Sequence, residues 1–301
     1  MKSRGNFPRF LTQGQKMNEY QITAYAKINL GLDVVKRLPD GYHQVKMIMQ
    51  SIGIRDELLL EKAGHGVTFT TDSEELPADE SNLACRAARL MLEKYRISGG
   101  VRIHLQKNIP IAAGMAGGSA DAAAVMKGMN RLFDLDAPLS QLMEYGVSIG
   151  ADVPYCILGG TALAEGIGEK LTPLPPIPAC RILAAKPDIS VSTRYVYEHL
   201  DARGIPCHPD IDGMEAAVRA GDLPGILCRM ANVLEAVTVP AHPVISTLKN
   251  RMLKLGAEGS LMSGSGPTVF GIFTDPQAAL SALEQLQKDG LARQVFLTEP
   301  V

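Results

Sequence analysis

The sequence predicts an α/β protein of two domains, and three observations carry that expectation. Segments that alternate apolar and polar residues interleave with segments of helical spacing along the whole chain. Its 301 residues are enough for two separate cores. A proline cluster, TPLPPIP with Pro173, Pro175, Pro176 and Pro178, breaks the composition and sets a boundary, giving expected domains of 18–172 and 173–301.

Residues 1–17 carry Lys2, Arg4, Arg9 and Lys16 without an acid and without the apolar core of a secretory signal, so a tail is expected, with Met17 a candidate start. From Ile22 to Val34 every second residue is apolar, which predicts a strand with Lys27 and Asn29 together on its other face. RLPDGYH follows, a loop built on the turn signal Pro39-Asp40-Gly41 and ending in Tyr42 and His43. Further strands are predicted over 57–61, 67–70 and 101–105. Between the last two, Leu83, Ala84, Ala87, Leu90, Met91 and Tyr95 recur at helical spacing, closed by Gly99 and Gly100.

A second helix is predicted from Ser119 through ADAAAVMKGMNRLF, and a third after Pro138. GADVPYCILGG is too punctuated by glycine and proline to be one element, and TALAE then reads as a strand. Beyond the prolines, RILAA and TVFGIFT read as strands, with helices near 195–202, 212–220 and 244–255. Gly256 supplies a left-handed terminus for the last of these. Asp275-Pro276 opens a final helix whose expected buried stripe is Ala279, Leu280, Leu283 and Leu286. No internal repeat is found.

Composition narrows the function. A formal net charge of -2 argues against broad attraction to nucleic acid, and no apolar run approaches the ~20 residues that cross a bilayer. A cytoplasmic protein is expected, with neither nucleic acid nor membrane as partner, acting as a monomer or homodimer. Cys85, Cys156, Cys180, Cys207 and Cys228 are widely spaced with no C-x-x-C pair, so buried free thiols are expected rather than zinc or a redox dithiol.

The chemistry concentrates in KNIPIAAGMAGGSADAAA. Small residues from Gly114 to Ala120 stand directly before a helix, where the backbone can approach an anion and unpaired N–H groups point at it. Ser119 adds a hydroxyl. The same glycines would also serve a tight strand-helix packing contact. The loop is neither a Walker P-loop, since no Lys-Ser or Lys-Thr follows, nor G-x-G-x-x-G.

The loop resembles that of the galactokinase, homoserine kinase, mevalonate kinase and phosphomevalonate kinase superfamily, in which a proline and three residues precede Gly-Leu-Gly. Here Pro110 and Ile111, Ala112 and Ala113 precede Gly114-Met115-Ala116, so Ala116 replaces the second glycine, and Gly117-Gly118 replaces a common Ser-Ser pair. Within the superfamily, the chain from about Tyr20 onward resembles the 4-diphosphocytidyl-2-C-methyl-D-erythritol kinase family. AYAKINLGLDV with DGYH, PIAAGMAGGSADAA, GADVPY and MSGSGPTVF carry that likeness in family order, supported by KPDISVST and ANVLE.

The resemblance implies a two-domain α/β (α+β) fold, with an N-terminal domain like the second domain of a small-subunit ribosomal protein and a ferredoxin-like C-terminal domain. It implies an ATP-dependent kinase of the non-mevalonate isoprenoid pathway, phosphorylating the 2-hydroxyl of its cytidylyl substrate. Asp152 is the candidate base and Lys27 its partner; read alone, the aspartate would be a turn or cap residue and the lysine a solvated one. ATP is expected on Pro110 to Ala120, with Asn82, Leu83 and Lys107 on the adenine side, although Asn82 also reads as a helix cap.

Substrate recognition is implied for Tyr42 and His43 with Asn29, against the plainer reading of a packed tyrosine and a surface histidine. Gly264, Ser265 and Gly266 either close over the substrate phosphate or form a tight turn before a strand, and Thr193 either meets the substrate or caps a helix. Magnesium is expected to arrive with the nucleotide, its protein ligands unassigned. The rivals are another kinase of the superfamily, acting on homoserine or mevalonate, and a non-catalytic nucleotide- or RNA-binding module.

Overall fold

The computed structural model describes residues 18–203, 205 and 207–301, so the expected tail, Met17 included, lies outside the described residues. The chain starts with two long antiparallel strands, β1 (Glu19–Arg37) and β2 (His43–Ala63), joined by the DGYH turn. There follow β3 (Gly66–Thr71), α1 (Leu83–Lys94), β4 (Gly100–Gln106), α2 (Gly117–Leu132), α3 (Leu139–Val147), α4 (Val153–Leu158), β5 (Thr161–Gly166) and β6 (Lys170–Leu174). The first sheet runs β3-β4-β2-β1, and β2 is long enough to serve two neighbours on one side. Its C-terminal half pairs with β4 and its N-terminal half with β5, which carries β6.

The second half contributes β7 (Arg181–Lys186), α5 (Thr193–Arg203), α6 (Ile211–Ala220), α7 (Leu223–Leu227), β8 (Ala231–Asn232), α8 (Glu235–Ala241), α9 (Val244–Lys254), β9 (Gly259–Met262), β10 (Val269–Phe273), α10 (Pro276–Asp289) and β11 (Gln294–Thr298). Its sheet runs β11-β7-β10-β9, all antiparallel. First strand beside fourth and third, second at the edge, is the order of a ferredoxin-like unit. The fold class therefore stands as expected.

The two halves interlock. β8 pairs in parallel with Gly31 and Leu32 of β1, α6 packs on β1 and β2, and Val301 N–H bonds the Ser51 carbonyl at 3.1 Å. The expected division at residue 173 falls inside β6, where Pro173 and Leu174 pair with Ala162 and Thr161. Proline is tolerated there because β6 is an edge strand, paired among the described residues with β5 alone.

Local signals explain most elements. Asn82 caps α1 by accepting the Ala84 N–H at 2.9 Å, and Asp275 caps α10 by accepting that of Gln277 at 2.8 Å. β1 is longer than its alternation suggests, and from Ala26 to Val34 both faces are buried. The stripe of α10 differs from expectation: Ala279, Ala282 and Leu286 are buried, whereas Leu280 is exposed because it lies one residue round the helix from that line. The thiols differ too. All five are free, but only Cys85 and Cys180 are buried; Cys156 is half-buried and Cys207 and Cys228 lie exposed on the surface.

Candidate active site

A cavity of about 900 Å³ opens between the two halves, lined by β1, the DGYH turn, the loop ahead of α2, the start of α4, α5 and the turn after β9. Its floor is set by Lys27. This lysine is 4 % exposed, although an isolated strand lysine would be solvated. Its ammonium donates to Asn29 Oδ1 at 2.8 Å and to the Gly114 carbonyl at 3.0 Å, and stands 3.9 Å from Asp152 Oδ2. Asn29 is fixed in turn, its amide donating to Met47 Sδ at 3.2 Å.

Asp152 occupies the cap position of α4 but makes no capping hydrogen bond. Its carboxylate is one-third exposed and lines the cavity. A half-buried carboxylate held beside an ammonium and open to a ligand is placed to take a proton from a bound hydroxyl.

The loop from Pro110 to Ala116 is strained in a regular way. Ala112, Gly114 and Ala116 have φ of 51°, 73° and 57°, the left-handed region that costs a residue with a side chain about 1–2 kcal/mol. α2 then begins with no side-chain cap and no acidic residue in its first turn, so its leading N–H groups remain available to an anion. Pro110 to Gly114 and Ala116 to Ser119 line the cavity; Met115 and Ala120 are buried behind it. Met115 has a structural role, its carbonyl accepting the Lys27 N–H at 3.2 Å.

The turn after β9 clasps this loop. Gly114 approaches it so closely that an added Cβ would stand 2.2 Å from the Ser263 carbonyl oxygen, and Ser263 Oγ donates to the Gly114 carbonyl at 2.9 Å. Gly264 and Ser265 line the cavity, while Gly266 stands back from it with φ of 87°. Asn232, in β8, holds the turn by donating to the carbonyls of Met262 and Gly264 at 2.9 and 2.7 Å. Thr193 opens α5 and meets Ser265, hydroxyl to hydroxyl, at 2.9 Å.

Of the residues expected on the adenine side, Leu83 lines the cavity, beside Leu76, but Asn82 does not: it is buried as the α1 cap. Lys107 also lines it, with its ammonium tied to Asp56 and Asp121 at 2.5 and 2.7 Å. At the opposite end Tyr42 is well exposed, and the His43 ring lies 4.8 Å from that of Tyr197 on α5. Tyr197 was not foreseen from sequence, nor were Met47, Ser263 and Asn232. An aromatic at a helical position in the other half carries no local signal; the ANVLE segment pointed to Asn232 only as part of a likeness.

Among the described residues no three His, Cys, Asp or Glu side chains gather into a metal site. Ser119 and Asp152 both line the cavity beside the helix entrance, and their oxygens suit a magnesium ion held chiefly by phosphate oxygens.

An uncapped helix entrance with a carboxylate and an ammonium beside it, in a cleft between these two sheets, is an arrangement suited to phosphoryl transfer by a small-molecule kinase. Models of the GHMP kinase N-terminal and C-terminal domains match residues 82–160 and 214–291. The 4-diphosphocytidyl-2-C-methyl-D-erythritol kinase of Lachnospira eligens is 51% identical over 284 residues, covering 94% of this chain and 99% of that protein. The enzyme of the same name from Acetivibrio thermocellus is 49% identical over 271 residues, 90% of this chain and 96% of that one.

A crystal structure of a 4-(cytidine 5'-diphospho)-2C-methyl-D-erythritol kinase superposes with a TM-score of 0.80 at 34% identity, over 93% of this chain and 99% of that one. A homoserine kinase from Cytophaga hutchinsonii shares the fold, with a TM-score of 0.76 at 23% identity over 97% of each chain. The chain belongs to the 4-diphosphocytidyl-2-C-methyl-D-erythritol kinase family.

Proposed function

We infer that the chain transfers the γ-phosphoryl group of ATP to the 2-hydroxyl of 4-diphosphocytidyl-2-C-methyl-D-erythritol, giving the 2-phosphate and ADP, as a step of the non-mevalonate isoprenoid pathway. The observation that carries the chemistry is the Asp152 carboxylate 3.9 Å from a buried Lys27 ammonium, beside an uncapped helix entrance.

The triphosphate lies along the loop from Pro110 to Ala120, its charge met by the N–H groups and dipole of α2. The substrate hydroxyl forms its new bond to the γ-phosphorus as the bond from that phosphorus to the ADP oxygen breaks, and the hydroxyl proton passes to Asp152. Lys27, fixed by Asn29 and the Gly114 carbonyl, orients that carboxylate and offsets charge on the transferred group. Magnesium bound with the nucleotide supplies further charge neutralisation, and Ser119 and Asp152 are the residues that would face it.

The cytosine ring is received by Tyr42, His43 and Tyr197, with Asn29 deeper in the cleft. One ring stacks and the imidazole exchanges hydrogen bonds with the pyrimidine edge. Tyr42→Ala and His43→Ala should each raise the KM for the cytidylyl substrate by about tenfold or more, leaving the KM for ATP nearly unchanged. Steady-state kinetics with each substrate varied in turn check this; an equal rise for ATP would misplace the base.

We place the division between the two units in residues 175–180, and the protein in the cytoplasm as a monomer or homodimer. Among the described residues no helix is long and apolar enough to cross a membrane. A coupled ADP-release assay with the cytidylyl substrate, homoserine and mevalonate in parallel tests the substrate. Turnover with the first alone supports the reading, and turnover with either of the others would replace it.

A further inference from the structure

Among the described residues, the lysine and arginine side chains that line the cavity are Lys27, Arg37, Lys107 and Arg194. The two lysines are held by carboxylates. Lys27 stands beside Asp152, and the Lys107 ammonium lies 2.5 and 2.7 Å from Asp56 and Asp121. Arg37 is the β1 residue paired with His43, which puts it at the end assigned to the base. Arg194 differs from all three. Its side chain is 88% exposed, and its Nε donates to Glu198 Oε1 at 2.8 Å, one turn along α5.

The place of Arg194 in the cleft follows from its neighbours on α5. Thr193 meets Ser265 in the turn after β9, the side of the cleft that holds Gly114 and Lys27. Tyr197 meets the His43 ring at the base end. Roughly 6 Å of helix axis separates Thr193 from Tyr197, and Arg194 lies within that span. The first turn of α5 carries no acidic residue, so the guanidinium adds to the positive end of the helix.

The substrate assigned above carries its diphosphate between the cytidine and the carbon chain whose hydroxyl reacts. With the cytosine at Tyr197 and the hydroxyl at Asp152, those phosphates must pass the first turn of α5. A guanidinium offers two parallel N–H groups to a phosphate and stays charged at any working pH. Its bond to Glu198 is an exposed pair four residues apart on a helix, weak enough to be exchanged for phosphate oxygens.

We propose that Arg194 is a specificity-determining residue that grips the diphosphate of the cytidylyl substrate, with Glu198 competing for its guanidinium. This rests on the assignment of the cytosine to Tyr42, His43 and Tyr197. Arg194 thereby distinguishes a cytidine diphosphate from a bare cytidine, which the ring contacts alone would accept equally.

The test is calorimetric titration of cytidine and of CDP into the wild type, Arg194→Gln and Glu198→Gln. Each protein is first saturated with a magnesium-loaded, non-hydrolysable ATP analogue, so that CDP cannot occupy the nucleotide loop. The wild type should bind CDP on the order of tenfold more tightly than cytidine, and Arg194→Gln less than about threefold more tightly. Glu198→Gln frees the guanidinium and should raise the wild-type preference by about threefold. Added salt should erode the preference of the wild type and leave that of Arg194→Gln nearly unchanged. Both side chains are exposed, so the variants should fold as the wild type does.

A full preference for CDP in Arg194→Gln overturns the proposal. So does a loss of affinity for the ATP analogue in place of CDP, which would move Arg194 to the nucleotide. Equal wild-type affinities for cytidine and CDP overturn it too, while leaving the base site where it is. Binding of neither ligand by the wild type would defeat the cytosine assignment and the proposal with it.

Discussion

Replacing Asp152 with asparagine is expected to lower kcat by about a thousandfold while nucleotide affinity stays within about twofold. Asparagine preserves the size of the side chain at the start of α4, and the native carboxylate makes no capping hydrogen bond whose loss would disturb the helix. What disappears is the anionic partner of Lys27 and, on the proposed roles, the acceptor for the proton. That lysine keeps its bonds to Asn29 and to the Gly114 carbonyl, so the loop remains in place. Single-turnover measurements beside a nucleotide titration separate the two effects. Near-normal turnover in the pure variant would remove Asp152 from the chemistry.

Gly114→Ala should be the most damaging single methyl group in the cleft. It must adopt φ of 73°, and its Cβ would lie 2.2 Å from the Ser263 carbonyl oxygen and 3.0 Å from that of Gly266. Both neighbours are backbone, so neither can rotate away. The clasp must open, and with it moves the Gly114 carbonyl that receives both Lys27 and Ser263. A loss of about 3 kcal/mol in stability is expected, with a rise of at least about thirtyfold in the KM for ATP. Chemical denaturation and kinetics with ATP varied measure both. An unchanged denaturation midpoint would mean that the loop and the turn are not locked together as described.

Much of this was legible in the sequence, for identifiable reasons. β1 and β4 have one face more apolar than the other, and alternation marks them. α1 and α10 carry cap residues whose side chains act as caps. The small residues before α2 marked the helix entrance, and the left-handed φ at Ala116 explains why related loops place glycine there. The first half of β2 was not legible: MIMQS is buried on both sides, so it has no alternation to show. β6 was hidden by Pro173, which reads as linker when the strand has only one partner.

The site was legible where its residues share a segment and dark where contacts are long-range. Lys27 and Asn29 share a strand, whereas the pairing of Asp152 with Lys27 came through the family resemblance and from no local pattern. Lys107 meets Asp56 across 51 residues and Asp121 across 14, a buried cluster that no local pattern announces. Tyr197 reaches the cleft, and Asn232 the turn beside it, because the second sheet's half folds back onto β1.

The most direct measurement is a crystal structure with a non-hydrolysable ATP analogue and the cytidylyl substrate bound together. The expected complex has the triphosphate on the N–H groups of Gly117 to Ser119 and the substrate's 2-hydroxyl within hydrogen-bond reach of Asp152. A triphosphate seated away from the α2 entrance, or a 2-hydroxyl remote from Asp152, would contradict the account.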